Sequence, residues 1–174
     1  NYLILDDFIE NALLEKVLKE IKNIPEKEFH YAYVEGLPQV TNNKYCINDE
    51  CKIPSITKKL IDYFNSVKFV NWISNVTGIN DLQPDTFNMG GGIHKTKKDG
   101  YLNIHCDFNK HEVTGKYRRI NLLLYLTPDY QKSWGGNLEL WDKKNKKIID
   151  SILPIFNRCV IFVTDNQSYH GHPR

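Results

Sequence analysis

The sequence predicts an α+β protein, with a helical first half supporting a second half of short strands folded as a distorted β-barrel or jelly roll. Three observations lead there. Leu13, Leu14, Val17, Leu18 and Ile21 recur at helical spacing near the start of the chain. From Pro84 onward that period gives way to short apolar segments punctuated by Gly, Asn, Asp and Pro. The 174 residues, 41% hydrophobic and 25% charged, suffice for one domain with a sizeable core.

Taken in order, residues 2–5 read as a short strand leading into a helix over 10–21, with Pro25 beyond its end. The segment 26–51 mixes polar and aromatic residues without a dominant period. Two more helices are expected over 54–65 and 68–76, the second closed by Gly78. Expected strands are 86–89, 101–105, 120–126, 137–141, 147–152 and 158–163. Trp134-Gly135-Gly136 reads as a tight strand connection, because glycine accepts positive φ. No repeat or low-complexity linker interrupts the chain. One domain over 1–174 is therefore expected, with 1–80 mainly helical support and 84–174 the jelly-roll core.

Bulk properties narrow the partners. A net charge of +2 and a pI near 8.3 are too mild to point to nucleic acid. The lysines within 95–98 and 143–147 are expected in solvated loops or turns. No run approaches the ~18 apolar residues of a membrane span, and no basic-then-apolar leader opens the chain. Cys46, Cys51, Cys106 and Cys159 show no framework spacing. Cys106 and Cys159 fall in expected strands as core thiols, and a Cys46–Cys51 pair is not expected. A reducing, cytoplasmic setting follows.

The chemistry concentrates in His105-Cys106-Asp107 and, far downstream, Ser168-Tyr169-His170-Gly171-His172. Two neutral imidazoles and one carboxylate form the set that holds a ferrous ion by one face and leaves the other open. If 101–107 is extended, His105 and Asp107 share a face and Cys106 looks away. The apolar run 159–163 reads as a buried strand, and His170 and His172 then share a face of the next extended stretch. Either of those two histidines can supply the third ligand.

The surrounding words carry a resemblance. Gly90-Gly91-Gly92-Ile93-His94, then Gly100-Tyr101-Leu102-Asn103-Ile104-His105-Cys106-Asp107-Phe108-Asn109, resembles the first metal-binding segment of Fe(II)/2-oxoglutarate-dependent dioxygenases, in the branch similar to prolyl 4-hydroxylases. The likeness continues through Arg118-Arg119-Ile120-Asn121-Leu122-Leu123-Leu124-Tyr125-Leu126 and Trp134-Gly135-Gly136-Asn137-Leu138-Glu139-Leu140-Trp141. It closes on Asn157-Arg158-Cys159-Val160-Ile161-Phe162 and Ser168-Tyr169-His170-Gly171-His172-Pro173.

The resemblance implies a double-stranded β-helix, with His105, Asp107 and His170 as metal ligands and catalytic centre. Fe(II) would be the cofactor, 2-oxoglutarate and O2 the co-substrates. It assigns Tyr125 to the distal carboxylate of 2-oxoglutarate and Leu123 and Leu138 to that pocket's walls, core packing being the other role open to all three. The family anchors 2-oxoglutarate with an Arg or Lys about ten positions after the distal histidine. Arg174 lies only four positions after His170, so a last barrel strand missing through truncation is expected. The implied reaction is hydroxylation of a C–H bond, the retained Asp107 arguing against halogenation. The implied substrate is a prolyl residue in a protein or peptide, or a free amino acid. A non-catalytic metal-binding jelly-roll module is the alternative. His30 and His111 are expected at the surface, His94 as a structural or rim residue, and Arg118 and Arg119 at a solvated strand entrance, with one of the two facing the active-site mouth as the other role open. Oligomeric state is open.

Overall fold

The computed structural model describes residues 1–32, 40–142, 144 and 146–174. The chain divides into two compact units. One comprises Asn1–Leu14, Tyr31–Tyr45 and Lys95–Arg174; the other comprises Glu15–His30 and Cys46–His94.

The first unit is built on antiparallel sheets. A three-stranded sheet has the order β1 (Tyr2–Leu5), β8 (Cys159–Val163), β5 (Ile120–Leu124). A six-stranded sheet has the order β2 (His30–Tyr31), β3 (Thr41–Ile47), β4 (Ile93–His105), β9 (Tyr169–His172), β6 (Leu138–Asp142), β7 (Lys147–Ile152). Alternation sets what each strand buries. Val160 and Phe162 of β8 meet Leu138 and Leu140 of β6 and Ile152 of β7, with Ile4, Leu123 and Tyr125 packed against them. This cluster joins side chains from both sheets, and each full burial contributes roughly 1.5–3 kcal/mol. Central β8 is buried on both faces from Cys159 to Phe162, which explains its unbroken apolar run.

Asn157 closes the loop before β8. It sits at φ +63°, 1% exposed. Its side-chain amide donates to Ile9 O (2.7 Å) and Asn11 Oδ1 (2.8 Å), and its Oδ1 accepts from Ile9 N (2.9 Å). Beside it, Arg158 forms a fork to both oxygens of Asp6, at 2.6 and 2.8 Å.

The second unit is mainly helical. It holds most of α1 (Asn11–Lys22), with α2 (Ser55–Phe64) and α3 (Val67–Thr77). Helix α2 has Pro54 at its N-cap, which has no side chain to cap it. Glu20 of α1 does so instead, accepting from the amides of Ile56 (3.0 Å) and Thr57 (2.8 Å) and the Thr57 hydroxyl (2.9 Å). Helix α3 starts on Ser66, whose Oγ accepts from Phe69 N, and ends on Gly78 at φ +69°.

Several expectations are corrected. Residues 86–89 form turns rather than a strand, because the Asp85 carboxylate accepts from Phe87 N (3.0 Å) and Met89 N (2.9 Å), and Asn88 takes φ +48°. Lysines 95, 97 and 98 lie inside β4 rather than in a loop; the strand is exposed without a break from Thr96 to Asp99, so it carries lysines there without burying them. Lys143 lies outside the described residues, as does 33–39 within the aperiodic 26–51. That stretch also contains β3, whose Thr-Asn-Asn-Lys start lacks an apolar period. Cys106 lies past the end of β4 and is partly exposed rather than a strand core thiol, because the strand stops at His105. None of the four cysteines is in a disulfide, and Cys46 Sγ lies 3.1 Å from His30 Nε2.

Candidate metal centre

The site is assembled from a strand end, the irregular segment that follows it and a second strand. His105 is the last residue of β4, and directly across the ladder it pairs with His170 of β9. Their rings lie 4.6 Å apart between centroids. The β4–β9 register shifts between Leu102 and His105, where Gly171 lets the two backbones approach. A Cβ at Gly171 would lie 2.6 Å from Leu102 O and 2.8 Å from Asn103 O.

Asp107 lies two residues past the end of β4. Its Oδ1 is 3.5 Å from His105 Nε2, and its Oδ2 is 3.7 Å from His170 Nε2. One ligand atom from each of the three residues fits within a mutual spacing of 4.8 Å. Two metal–ligand bonds of ~2.1 Å span about 4.2 Å end to end, so one ion can bridge both carboxylate–imidazole pairs.

Both imidazoles are oriented alike. His105 Nδ1 lies 2.9 Å from Asn103 O, and His170 Nδ1 lies 2.9 Å from Ser168 O. A carbonyl only accepts, so each Nδ1 carries the proton and each Nε2 presents a lone pair to the shared centre. His170 is 5% exposed, and burial pushes its pKa below the usual histidine value, which favours the neutral, metal-binding form. Burial by itself would raise the pKa of Asp107. Its neighbours His105, His170 and the Arg118 guanidinium together outweigh it and hold the carboxyl well below the usual range. The donor set, two imidazole nitrogens and an ionised carboxylate on one side of a point, suits ferrous iron.

Tyr125, Leu123 and Leu138 are brought together with one another, in the apolar cluster beside this centre. Phe162 connects the two, packing edge-on against the His170 ring at 4.8 Å. Leu140 connects them again, as the ladder partner of His170. Burial pushes the Tyr125 phenol far above its ordinary pKa, so it is a neutral hydroxyl among apolar walls. His172 is not part of the triad. It pairs with Leu102, its Nδ1 is buried without a hydrogen-bond partner, and burial, followed by the Lys44 and His105 charges, pushes its pKa down to about 4. His30 and His94 are exposed.

Asn121 escaped the sequence reading, and for Arg118 that reading prefers the solvated entrance over a place at the site. Arg118 Nη1 lies 3.0 Å from Asp107 Oδ2, rather than at a solvated entrance, and Asn121 Nδ2 donates to the same oxygen at 3.0 Å. A signal existed for Asn121: it is the one amide in the apolar stretch from Ile120 to Leu126, and a polar group there needs a partner. For Arg118 the sequence offers only its place before the Tyr125 strand, which does not tell it from Arg119.

Comparison with known proteins agrees with this arrangement. Residues 91–174 match the family described as the 2OG-Fe(II) oxygenase superfamily. The mouse protein named prolyl 3-hydroxylase OGFOD1 is 29% identical over 97% of this chain, and the Xenopus laevis protein of that name is 27% identical over 96%. The chain spans only 29% and 30% of those two proteins' lengths. Among solved structures, a Pseudomonas putida prolyl-4-hydroxylase superposes with a TM-score of 0.72 at 13% identity, covering 99% of this chain and 84% of that one. A Trichoplax adhaerens prolyl hydroxylase, in complex with a hypoxia inducible factor oxygen degradation domain peptide fragment, gives 0.64 at 18% identity, covering 99% and 76%. The shared fold is the jelly roll of prolyl hydroxylases, with its antiparallel sheets and accompanying helices.

Proposed function

We propose, on the premise that residues 91–174 belong to the 2OG-Fe(II) oxygenase superfamily, that this protein is a non-haem Fe(II)/2-oxoglutarate-dependent hydroxylase acting on a prolyl residue of a protein or peptide. The observation that carries the reading is the convergence of His105, Asp107 and His170 on one point. When bound, iron with 2-oxoglutarate and O2 would supply the oxidising chemistry, the keto acid leaving as succinate and CO2 while one oxygen atom enters a substrate C–H bond.

This chain's residues would hold, orient and exclude. His105 and His170 offer their Nε2 lone pairs, with the Asn103 and Ser168 carbonyls fixing the rings. Asp107 supplies the negative charge. Phe162, Leu138 and Leu123 keep water from the inner wall, and the Tyr125 hydroxyl is the polar group on that wall for the far carboxylate of 2-oxoglutarate. The two relatives named prolyl 3-hydroxylases favour C3 of the prolyl ring over C4.

The test is anaerobic calorimetry of 2-oxoglutarate binding to Fe(II)- or Mn(II)-loaded protein, followed by aerobic succinate release and mass spectrometry of prolyl peptides for one added oxygen. Saturable co-substrate binding, and loss of at least a hundredfold of turnover in Asp107→Ala, are expected. Near-normal succinate release by that variant would refute Asp107 as a ligand. Metal binding without co-substrate binding would leave a non-catalytic metal-binding module. Chromatographic separation of 3- and 4-hydroxyproline after hydrolysis decides the carbon.

A further inference from the structure

We propose that a cleft beside the metal centre is a recognition pocket for a lysine or arginine side chain neighbouring the target prolyl residue. The inference rests on the hydroxylase reading above and names the class of peptide that reading leaves open.

The cleft lies on the same rim as the metal centre. Strand β4 ends at His105, antiparallel β9 begins beside it, and antiparallel β6 ends against the start of β9. Trp141, directly opposite Tyr169, and Tyr2, directly opposite Phe162, line the cleft together with Leu140 and Asp165. Its volume of about 610 Å³ is in the range of ligand pockets. Phe162 belongs to both places: it packs edge-on against the His170 ring at 4.8 Å and also borders the cleft. An extended chain advances ~3.5 Å per residue, so a side chain within about three positions of a proline at the metal can enter it.

Charge decides what fits. Asp165 Oδ1 accepts from Gln167 N and from the Ser168 hydroxyl, each at 2.7 Å. Asp150 accepts from the Tyr2 hydroxyl (2.8 Å) and Ser151 N (2.7 Å). Glu139 accepts from the Trp141 indole N–H at 2.8 Å. All of these donors are neutral, so they fix the three carboxylates without cancelling their charge. The Asn1 amino group and the Arg119 guanidinium oppose them, and among the described residues neither closes an ion pair with Asp165. Aromatic walls take the aliphatic stem of a lysine or arginine and present π faces to its head, while the carboxylates attract the charge. An acidic side chain would meet three like charges here. A neutral one would leave them unanswered.

The probes are short labelled peptides with one central proline and lysine, norleucine or glutamate placed in turn at each neighbouring position. Norleucine keeps the stem and removes the charge. Affinity for Mn(II)-loaded protein is read by fluorescence anisotropy at low and high salt, and turnover is read with Fe(II), 2-oxoglutarate and O2. At one position lysine should bind about tenfold tighter than norleucine, with glutamate weaker still, and salt should shrink the preference. In turnover that lysine should lower KM and leave kcat little changed. Asp165→Asn keeps the turn and removes a charge, and Trp141→Leu removes a wall; each should cut the preference to about threefold or less. If Trp141→Leu does not fold, Asp165→Asn carries the test. Lysine within about twofold of norleucine at every position, or an undiminished preference in Asp165→Asn, overturns the inference. A lysine preference without any hydroxylated product would instead remove the hydroxylase reading and keep the cation pocket.

Discussion

Asn157 shows how much one side chain can carry outside the metal centre. Its amide satisfies three partners in the 9–11 segment, and its backbone N–H donates to Tyr125 O at 2.9 Å. Its φ of +63° suits asparagine better than alanine. Asn157→Ala is expected to cost about 2–4 kcal/mol, from lost buried hydrogen bonds plus left-handed strain. Urea unfolding monitored by tyrosine and tryptophan fluorescence checks the figure. A loss below about 1 kcal/mol would mean the 9–11 segment is held by other contacts.

At the scale of elements, the pairing of β4 with β9 brings the two imidazoles together, and Gly171 sets how close those strands come. The obstruction to a larger residue is backbone carbonyl oxygen, which cannot swing aside as a side chain can. Gly171→Ala should destabilise the fold by about 1–3 kcal/mol and weaken Mn(II) binding about tenfold by shifting His170. Unchanged metal affinity in a destabilised variant would confine the role of Gly171 to packing. In the helical unit, Glu20 caps α2 from outside that helix. Burial alone would raise its pKa, but the Ile56 and Thr57 amides and the Thr57 and Ser55 hydroxyls hold it below the ordinary glutamate value. Such a carboxylate stabilises fully above its unfolded pKa of about 4.3, and that contribution fades as pH falls through the lower folded value. Glu20→Gln should cost about 1 kcal/mol near neutral pH and flatten the acid limb of stability against pH. An acid limb as steep as wild type would remove the capping role.

At the scale of the whole chain, every ligand and both residues that bond Asp107, Arg118 and Asn121, lie in the unit that comprises Asn1–Leu14, Tyr31–Tyr45 and Lys95–Arg174. A metal that binds only the folded unit must stabilise it, by about 2.7 kcal/mol when free metal is a hundredfold above Kd. Thermal unfolding should move upward with added Mn(II), return on chelation, and stay fixed in His170→Ala. A metal-induced rise that survives in His170→Ala would place the ion elsewhere.

Read alone, the sequence determined those elements whose periodicity and punctuation are local: α1, α2, α3, β7 and β8 lie where their patterns place them, to within a residue or two. It also pointed to His105, Asp107 and a histidine of the 170–172 stretch, since those side chains have few rivals for such chemistry. Only the tertiary structure separated His170 from His172. Both share a strand face, and cross-strand register, a long-range property set by Gly171 and the β4 bulge, puts His170 opposite His105. The roles of Arg118 and Asn121 were likewise decided in three dimensions. A charge or an amide shows its partner only once folding has brought a carboxylate within 3.0 Å of it.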